Sequence, residues 1–218
     1  GGTQDDAALF GPSNVAMADG TEDPWQHIYI DPWGGGDSYF TPPHPVDTHI
    51  VFYEHQFGDL RRKDLRDGTT DDIRPRADSI RWSAEEETEG DGEAEETDED
   101  DDATAIDIEL RNNWMTPLAI SHYDPDTLYY GVRFVLRSRD RGDTWEAISP
   151  DLTTNPGPER QGNVPYGTLT MISESPLRSG TLWTGSDDGR VHVTTDAGAA
   201  WTDVTAGLGA AGAPTDYW

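Results

Sequence analysis

The chain has 218 residues, 43 acidic side chains against 15 basic ones, a formal net charge of -28 and no cysteine. A disulfide-stapled mini-protein and a cysteine-ligated zinc module are excluded, and the charge would repel nucleic-acid phosphate. No stretch approaches 18 consecutive apolar residues, so no transmembrane segment is expected.

Residues 1–37 carry two glycine-bearing landmarks, Gly2-Thr3-Gln4-Asp5 and Gly34-Gly35-Gly36-Asp37, and read as the end of one structural unit and a connection. A unit over 38–75 follows, with the run His49-Ile50-Val51-Phe52-Tyr53, then Gly58-Asp59-Leu60, then the turn Asp64-Leu65-Arg66-Asp67-Gly68. Residues 76–113 read as an acidic insertion loop. Thirteen of the 18 positions from Glu85 to Asp102 are acidic, and no base lies between Arg81 and Arg111. Such a block repels itself and has nothing apolar to bury, so it is expected to be disordered.

A second unit spans 114–150, with Leu118-Ala119-Ile120, Thr127-Leu128-Tyr129-Tyr130 and Phe134-Val135-Leu136. A third spans 151–206, with Leu169-Thr170-Met171-Ile172, Thr181-Leu182-Trp183 and Val191-His192-Val193. Residues 207–218 are expected to open another unit. The runs are short, rich in β-branched and aromatic residues, and bounded by turn formers, which is the pattern of strands. Apolar residues do not recur at helical spacing over three turns, so no long helix is expected. Four short antiparallel strands in 35 to 45 residues is the size of one β-propeller blade. The expected fold is therefore all-β: a partial β-propeller of about three four-stranded blades with a long disordered acidic loop. Three blades do not close a ring. The chain opens at Gly1 without a Met and stops at Trp218, so remaining blades of its own chain are expected on both sides.

The octet Ser138-Arg139-Asp140-Arg141-Gly142-Asp143-Thr144-Trp145 matches Ser-x-Asp-x-Gly-x-Thr-Trp. Ser and Asp oxygens can accept backbone N–H groups within a tight turn, Gly supplies a positive φ, and Trp opens the next strand with a large apolar surface. Thr194-Thr195-Asp196-Ala197-Gly198-Ala199-Ala200-Trp201 is the same pattern weakened, and the first unit keeps only Asp64, Asp67 and Gly68. These residues resemble the Asp-box, or BNR, repeat of sialidase-like and sortilin-like β-propellers. The resemblance extends to Asp124–Gly131, to Leu136-Arg137-Ser138 and to Trp183–Val191, which look like strand pairs of the microbial sortilin-like proteins often described as glycosyl hydrolase BNR-repeat proteins. It covers nearly the whole chain outside the acidic loop.

The structural Asp-box set is thus Ser138, Asp140, Gly142, Thr144 and Trp145, with Thr194, Asp196, Gly198 and Trp201. No residue is assigned a catalytic role. The carboxylates best placed for one are Asp37, Asp5 and Asp187, with Asp188 beside it, all read as lying at inner-strand turns. Asp98-x-Asp100-x-Asp102 with Glu109 has calcium-loop spacing, but Ala103 stands where Gly is needed and no helices flank it. No metal and no cofactor is expected. Trp25, Trp33, Trp82 and Trp114 are read as packing residues, and Tyr166 as facing a central channel. Lys63 is the only lysine in an otherwise arginine-based set of cations. High acidity with almost no lysine points to a protein that stays soluble in concentrated salt. The preferred function is a non-catalytic platform for a protein, peptide or glycan ligand in a salt-adapted microbe. The alternative is a xyloglucanase-like or sialidase-like glycoside hydrolase. The resemblance implies a location outside the cytoplasm, secreted or in the cell envelope.

Overall fold

The computed structural model describes residues 1–3, 8–11, 25–28, 36–82 and 110–212. The acidic block 85–102, the calcium-like spacing, Asp5 and Trp33 lie outside the described residues. So do residues 213–218 of the segment expected to open another unit.

Strands β1 (Leu9–Phe10) and β2 (Gln26–His27) pair antiparallel at the start of the chain. The first full sheet holds β3 (Ile50–His55), β4 (Asp59–Asp64) and β5 (Thr70–Asp72) in sequence order. A fourth, irregular member precedes them. Residues 38–44 lie against β3, with Glu54 N donating to Phe40 O at 3.0 Å, Phe52 N to Pro42 O at 3.1 Å and His44 N to Ile50 O at 2.8 Å. Pro42 and Pro43 have no N–H to give, which confines this segment to an interrupted edge.

Next comes β6 (Ile80–Trp82), which falls inside the stretch read as insertion. It adds to the second sheet instead, pairing parallel with β10 (Trp145–Ala147) outside the antiparallel run β7 (Leu118–Ile120), β8 (Leu128–Gly131), β9 (Val135–Ser138). That sheet therefore has five strands where four are expected. Burial of Ile80 in the core beneath Trp145 accounts for the extra strand. The third sheet runs β11 (Leu169–Glu174), β12 (Leu182–Ser186), β13 (Val191–Thr194), β14 (Thr202–Asp203), all antiparallel. A single six-residue helix, α1 (Thr205–Ala210), ends the described chain; residues 207–210, expected to begin a further strand unit, are helical. After Thr205 this stretch has no β-branched residue, and its alanines favour helix over strand.

Each sheet packs face to face with the next, the architecture of consecutive propeller blades. Alternation along the strands assigns the faces. Ile50 and Phe52 point to the second sheet while Val51 and Tyr53 cover Ala8 and Ile28. Leu128 and Tyr130 point back to the first sheet, and Tyr129 and Val135 forward to Leu169, Ile172 and Leu182 of the third. Both faces of β3 and β8 are covered, which is why their sequences read as continuous apolar runs and not as alternating ones.

Candidate functional site

The two octets form the turns between the third and fourth strands of the second and third sheets. In the first, Ser138 Oγ donates to Asp140 Oδ1 (2.8 Å) and accepts from Gly142 N (2.7 Å). Asp140 accepts from Thr144 N through Oδ1 (2.8 Å) and from Thr144 Oγ1 through Oδ2 (2.7 Å). Gly142 sits at φ 97, and a Cβ there would meet Ile73 Cδ1 at 2.6 Å, so both conformation and space require glycine. Burial opposes ionisation of Asp140, but the bonds from Thr144 and Ser138 outweigh it and hold the carboxyl below its usual range. Trp145 reaches past its own turn: its indole N–H donates to Ile73 O of the preceding sheet at 2.9 Å.

The second octet repeats this with fewer bonds. Thr194 Oγ1 donates to Asp196 Oδ1 (2.7 Å), Asp196 Oδ1 accepts from Ala200 N (3.0 Å), and Trp201 Nε1 donates to Ile148 O (2.8 Å). These carboxylates are thus occupied with turn closure.

The other candidates are also engaged. Asp37 is buried and accepts from Tyr39 Oη (2.8 Å) and Trp114 Nε1 (3.1 Å). Asp187 gathers Gly167 N, Thr168 N (both 2.9 Å) and Thr168 Oγ1 (2.8 Å). Asp188 accepts from Thr154 N (2.6 Å) and Thr154 Oγ1 (2.7 Å), and from Ser186 Oγ. Asp187 and Asp188 lie in the turn between β12 and β13, and not at an inner-strand turn. From there they bind the chain that enters the third sheet. Trp82 packs against Phe134 with ring centres 5.1 Å apart, Trp114 against Phe57 at 4.7 Å, while Trp25 is exposed. Arg160 stacks on Tyr166 at 5.0 Å. Among the described residues no cluster of His, Asp or Glu is disposed to hold a metal ion, and no helix is long and apolar enough to cross a membrane.

Two buried glutamates were not singled out by the sequence. Glu54, fully enclosed at 0% exposure, accepts Thr116 N at 2.9 Å through one oxygen, and its other oxygen has no partner among the described residues. Burial pushes its carboxyl up to about 8, against backbone hydrogen bonds that favour the charged form. Glu174 is satisfied by Ser121 Oγ (2.8 Å), His122 N (2.6 Å) and Tyr129 Oη (3.2 Å). A signal for Glu54 was present: an acid closing the apolar run 50–53 of a strand covered on both sides.

A groove of about 740 Å³ runs along the first-strand edges of the first two sheets. Phe40, Pro42, Pro43 and Val46 form one wall, Ile120 and Tyr123 the other. Phe40, Val46 and Tyr123 are exposed.

No protein-family model and no curated protein sequence matches the chain. Solved structures similar to it include the GH74 xyloglucanase from Xanthomonas campestris (21% identity, 83% of this chain and 22% of that one, TM-score 0.48). The GH74 enzyme of Niastella koreensis is similar at 13% identity, over 82% of this chain and 24% of that one, with TM-score 0.48. YCF48 from Cyanidioschyzon merolae is similar at 12% identity, over 77% and 36%, with TM-score 0.38. The chain spans between 22% and 36% of the length of these structures.

Proposed function

We propose that this chain is part of a non-catalytic, sortilin-like Asp-box propeller, and that its ligand is an extended peptide segment of a partner protein. The groove between the first-strand edges carries this reading. Its walls are prolines and aromatic rings, which suit an extended or polyproline-like peptide docking through apolar contacts. The engagement of Asp37, Asp187 and Asp188 in fixing loops supports a binding role over hydrolysis, which needs two carboxyl groups facing one bond.

The test is selection from a displayed peptide library, followed by titration of the selected peptides. Phe40→Ala and Tyr123→Ala should each weaken binding about tenfold, as expected for an aromatic anchor. Reproducible glycan release that is lost in Asp37→Asn would replace this reading with a glycoside hydrolase.

We further propose a salt-adapted origin and a place outside the cytoplasm. The charge of -28 and the single lysine support the first. The thermal midpoint should rise with KCl as screening relieves self-repulsion, and a midpoint flat to several molar would sink the idea.

A further inference from the structure

A smaller pocket, about 310 Å³ and separate from the groove, opens where the first two sheets meet. Phe57, Arg74, Arg76, Leu110, Asn112 and Tyr130 surround it. Two features set it apart. Among the described residues its charged lining is two guanidinium groups, of which Arg74 is also paired with Asp72 (2.6 Å) and Asp59 (3.5 Å). Its inner end also holds the Tyr130 hydroxyl, on a residue only 1% exposed, with no hydrogen-bond partner among the described residues. The neighbouring Thr116 hydroxyl donates to Asn113 O at 3.0 Å and lies outside hydrogen-bond geometry with Tyr130 Oη. Buried polar groups are nearly always satisfied, so an orphaned hydroxyl lining a cavity marks the place of an absent acceptor.

The β3–β4 turn is shaped around this hydroxyl. Gly58 lies at φ 76, and a Cβ there would sit 2.5 Å from Tyr130 Oη. Phe57 is held in the left-handed region at φ 57, ψ 36, a conformation bulky residues avoid. Its N–H donates to Trp114 O (3.3 Å) and its ring edge meets Trp114, which leaves the ring 41% exposed at the pocket mouth. Such outliers persist where surrounding contacts over-determine them, typically at ligand sites. Arg76 is the freer of the two guanidinium groups, with a 70% exposed side chain whose nearest approach to Asp72 is 3.7 Å.

We infer that this pocket binds a small organic carboxylate. The anionic group would lie between the guanidinium groups of Arg74 and Arg76 and the Tyr130 hydroxyl, and the apolar part would lie against Phe57 and Leu110. The charge-assisted bonds and the donor O–H select an anion over a neutral isostere.

Calorimetric titration of the whole chain in KCl tests this with benzoate and its uncharged counterpart, benzyl alcohol. Benzoate should bind with Kd below about 1 mM, and benzyl alcohol at least about tenfold more weakly. Tyr130→Phe keeps the ring and its packing and should weaken benzoate about tenfold. Arg76→Gln, on an exposed side chain that leaves the fold intact, should weaken it several-fold, whereas Phe40→Ala in the groove should leave it unchanged. Absence of saturable benzoate binding overturns the proposal. So does equal affinity for the two probes, or full affinity in both Tyr130→Phe and Arg76→Gln.

Discussion

Between the first and second sheets, Trp145 Nε1 donates to Ile73 O and Arg62 Nη1 donates to Arg141 O (3.2 Å). Between the second and third, Trp201 Nε1 donates to Ile148 O and Arg137 Nη1 donates to Ala197 O (3.2 Å). The same two bonds recur: an octet Trp reaches back to the carbonyl just past the preceding sheet's last strand, and an arginine of that sheet reaches forward to the octet backbone. The finishing differs. Trp145 is enclosed by the core and Trp201 is only half-buried. The first contact buries Glu54 with one oxygen unpaired among the described residues; the second buries Glu174 with three donors. A repeated latch therefore need not have a repeated strength, because each copy inherits its burial from the neighbour it meets.

The largest effect should come from removing the indoles. Trp145→Ala leaves a cavity in the first contact and an unpaired Ile73 carbonyl, for a loss of roughly 3–5 kcal/mol. Trp201→Ala removes a half-exposed ring and should cost about half as much. Urea titrations of both variants at one fixed salt concentration measure the difference. Equal losses would mean that burial does not set the strength of the latch.

Next in size is pH. Glu54 titrates at 4.5 when exposed and at about 8 in the fold, so the folded state holds an extra proton between those values. The stability tied to that proton is complete below about pH 4.5 and is lost as pH rises through about 8, a change on the order of 5 kcal/mol. Asp59, Tyr130 and Tyr39 are coupled to Glu54, and Arg74 acts on Tyr130. Glu54→Gln, neutral at every pH, should flatten the decline. Asp140 and Asp196 act in the opposite sense: both are held below 3.8, and their contribution disappears only as pH falls below that value. Thermal midpoints from pH 2 to pH 9 separate the two behaviours, and a wild-type decline above pH 4.5 that persists in Glu54→Gln would assign it elsewhere.

A third prediction separates the turns themselves. Asp140 collects three hydrogen bonds within its octet, two of them from Thr144, whereas Asp196 collects two. Asp140→Ala should cost about 2 kcal/mol, and Asp196→Ala, at an exposed turn with fewer bonds, should cost less. Chemical denaturation resolves that gap, and the reverse order would show that the exposed Asp196 turn carries more than its bond count.

Much of this plan is legible in the residues. The octets announce their turns through Gly142 and Gly198, and the run Leu128-Tyr129-Tyr130 announces a strand covered on both faces. What stays hidden is non-local. Ile80-Arg81-Trp82 is three residues beside an acidic block, and its strand character comes from parallel pairing with Trp145–Ala147, which leaves no local pattern. The segment 38–44 disguises itself with prolines. Glu54 has the composition of a surface residue, and only the arrival of Thr116 from the next sheet buries it. The pocket around Tyr130 draws on four separate stretches of chain, so no motif could have carried it.

The smallest prediction repairs the weaker turn. Ala200 occupies in the second octet the place of Thr144 in the first, and it is exposed. Ala200→Thr offers Asp196 Oδ2 a hydroxyl like the one Asp140 Oδ2 receives, and it places a β-branched residue at a strand entrance. The expected outcome is a small rise in the denaturation midpoint. A double-mutant cycle isolates it: in the Asp196→Ala background the gain should shrink to the residual strand preference, a few tenths of a kcal/mol. An undiminished gain in that background would show that backbone preference alone explains the threonine, and that the bond from Thr144 to Asp140 adds little to the stronger latch.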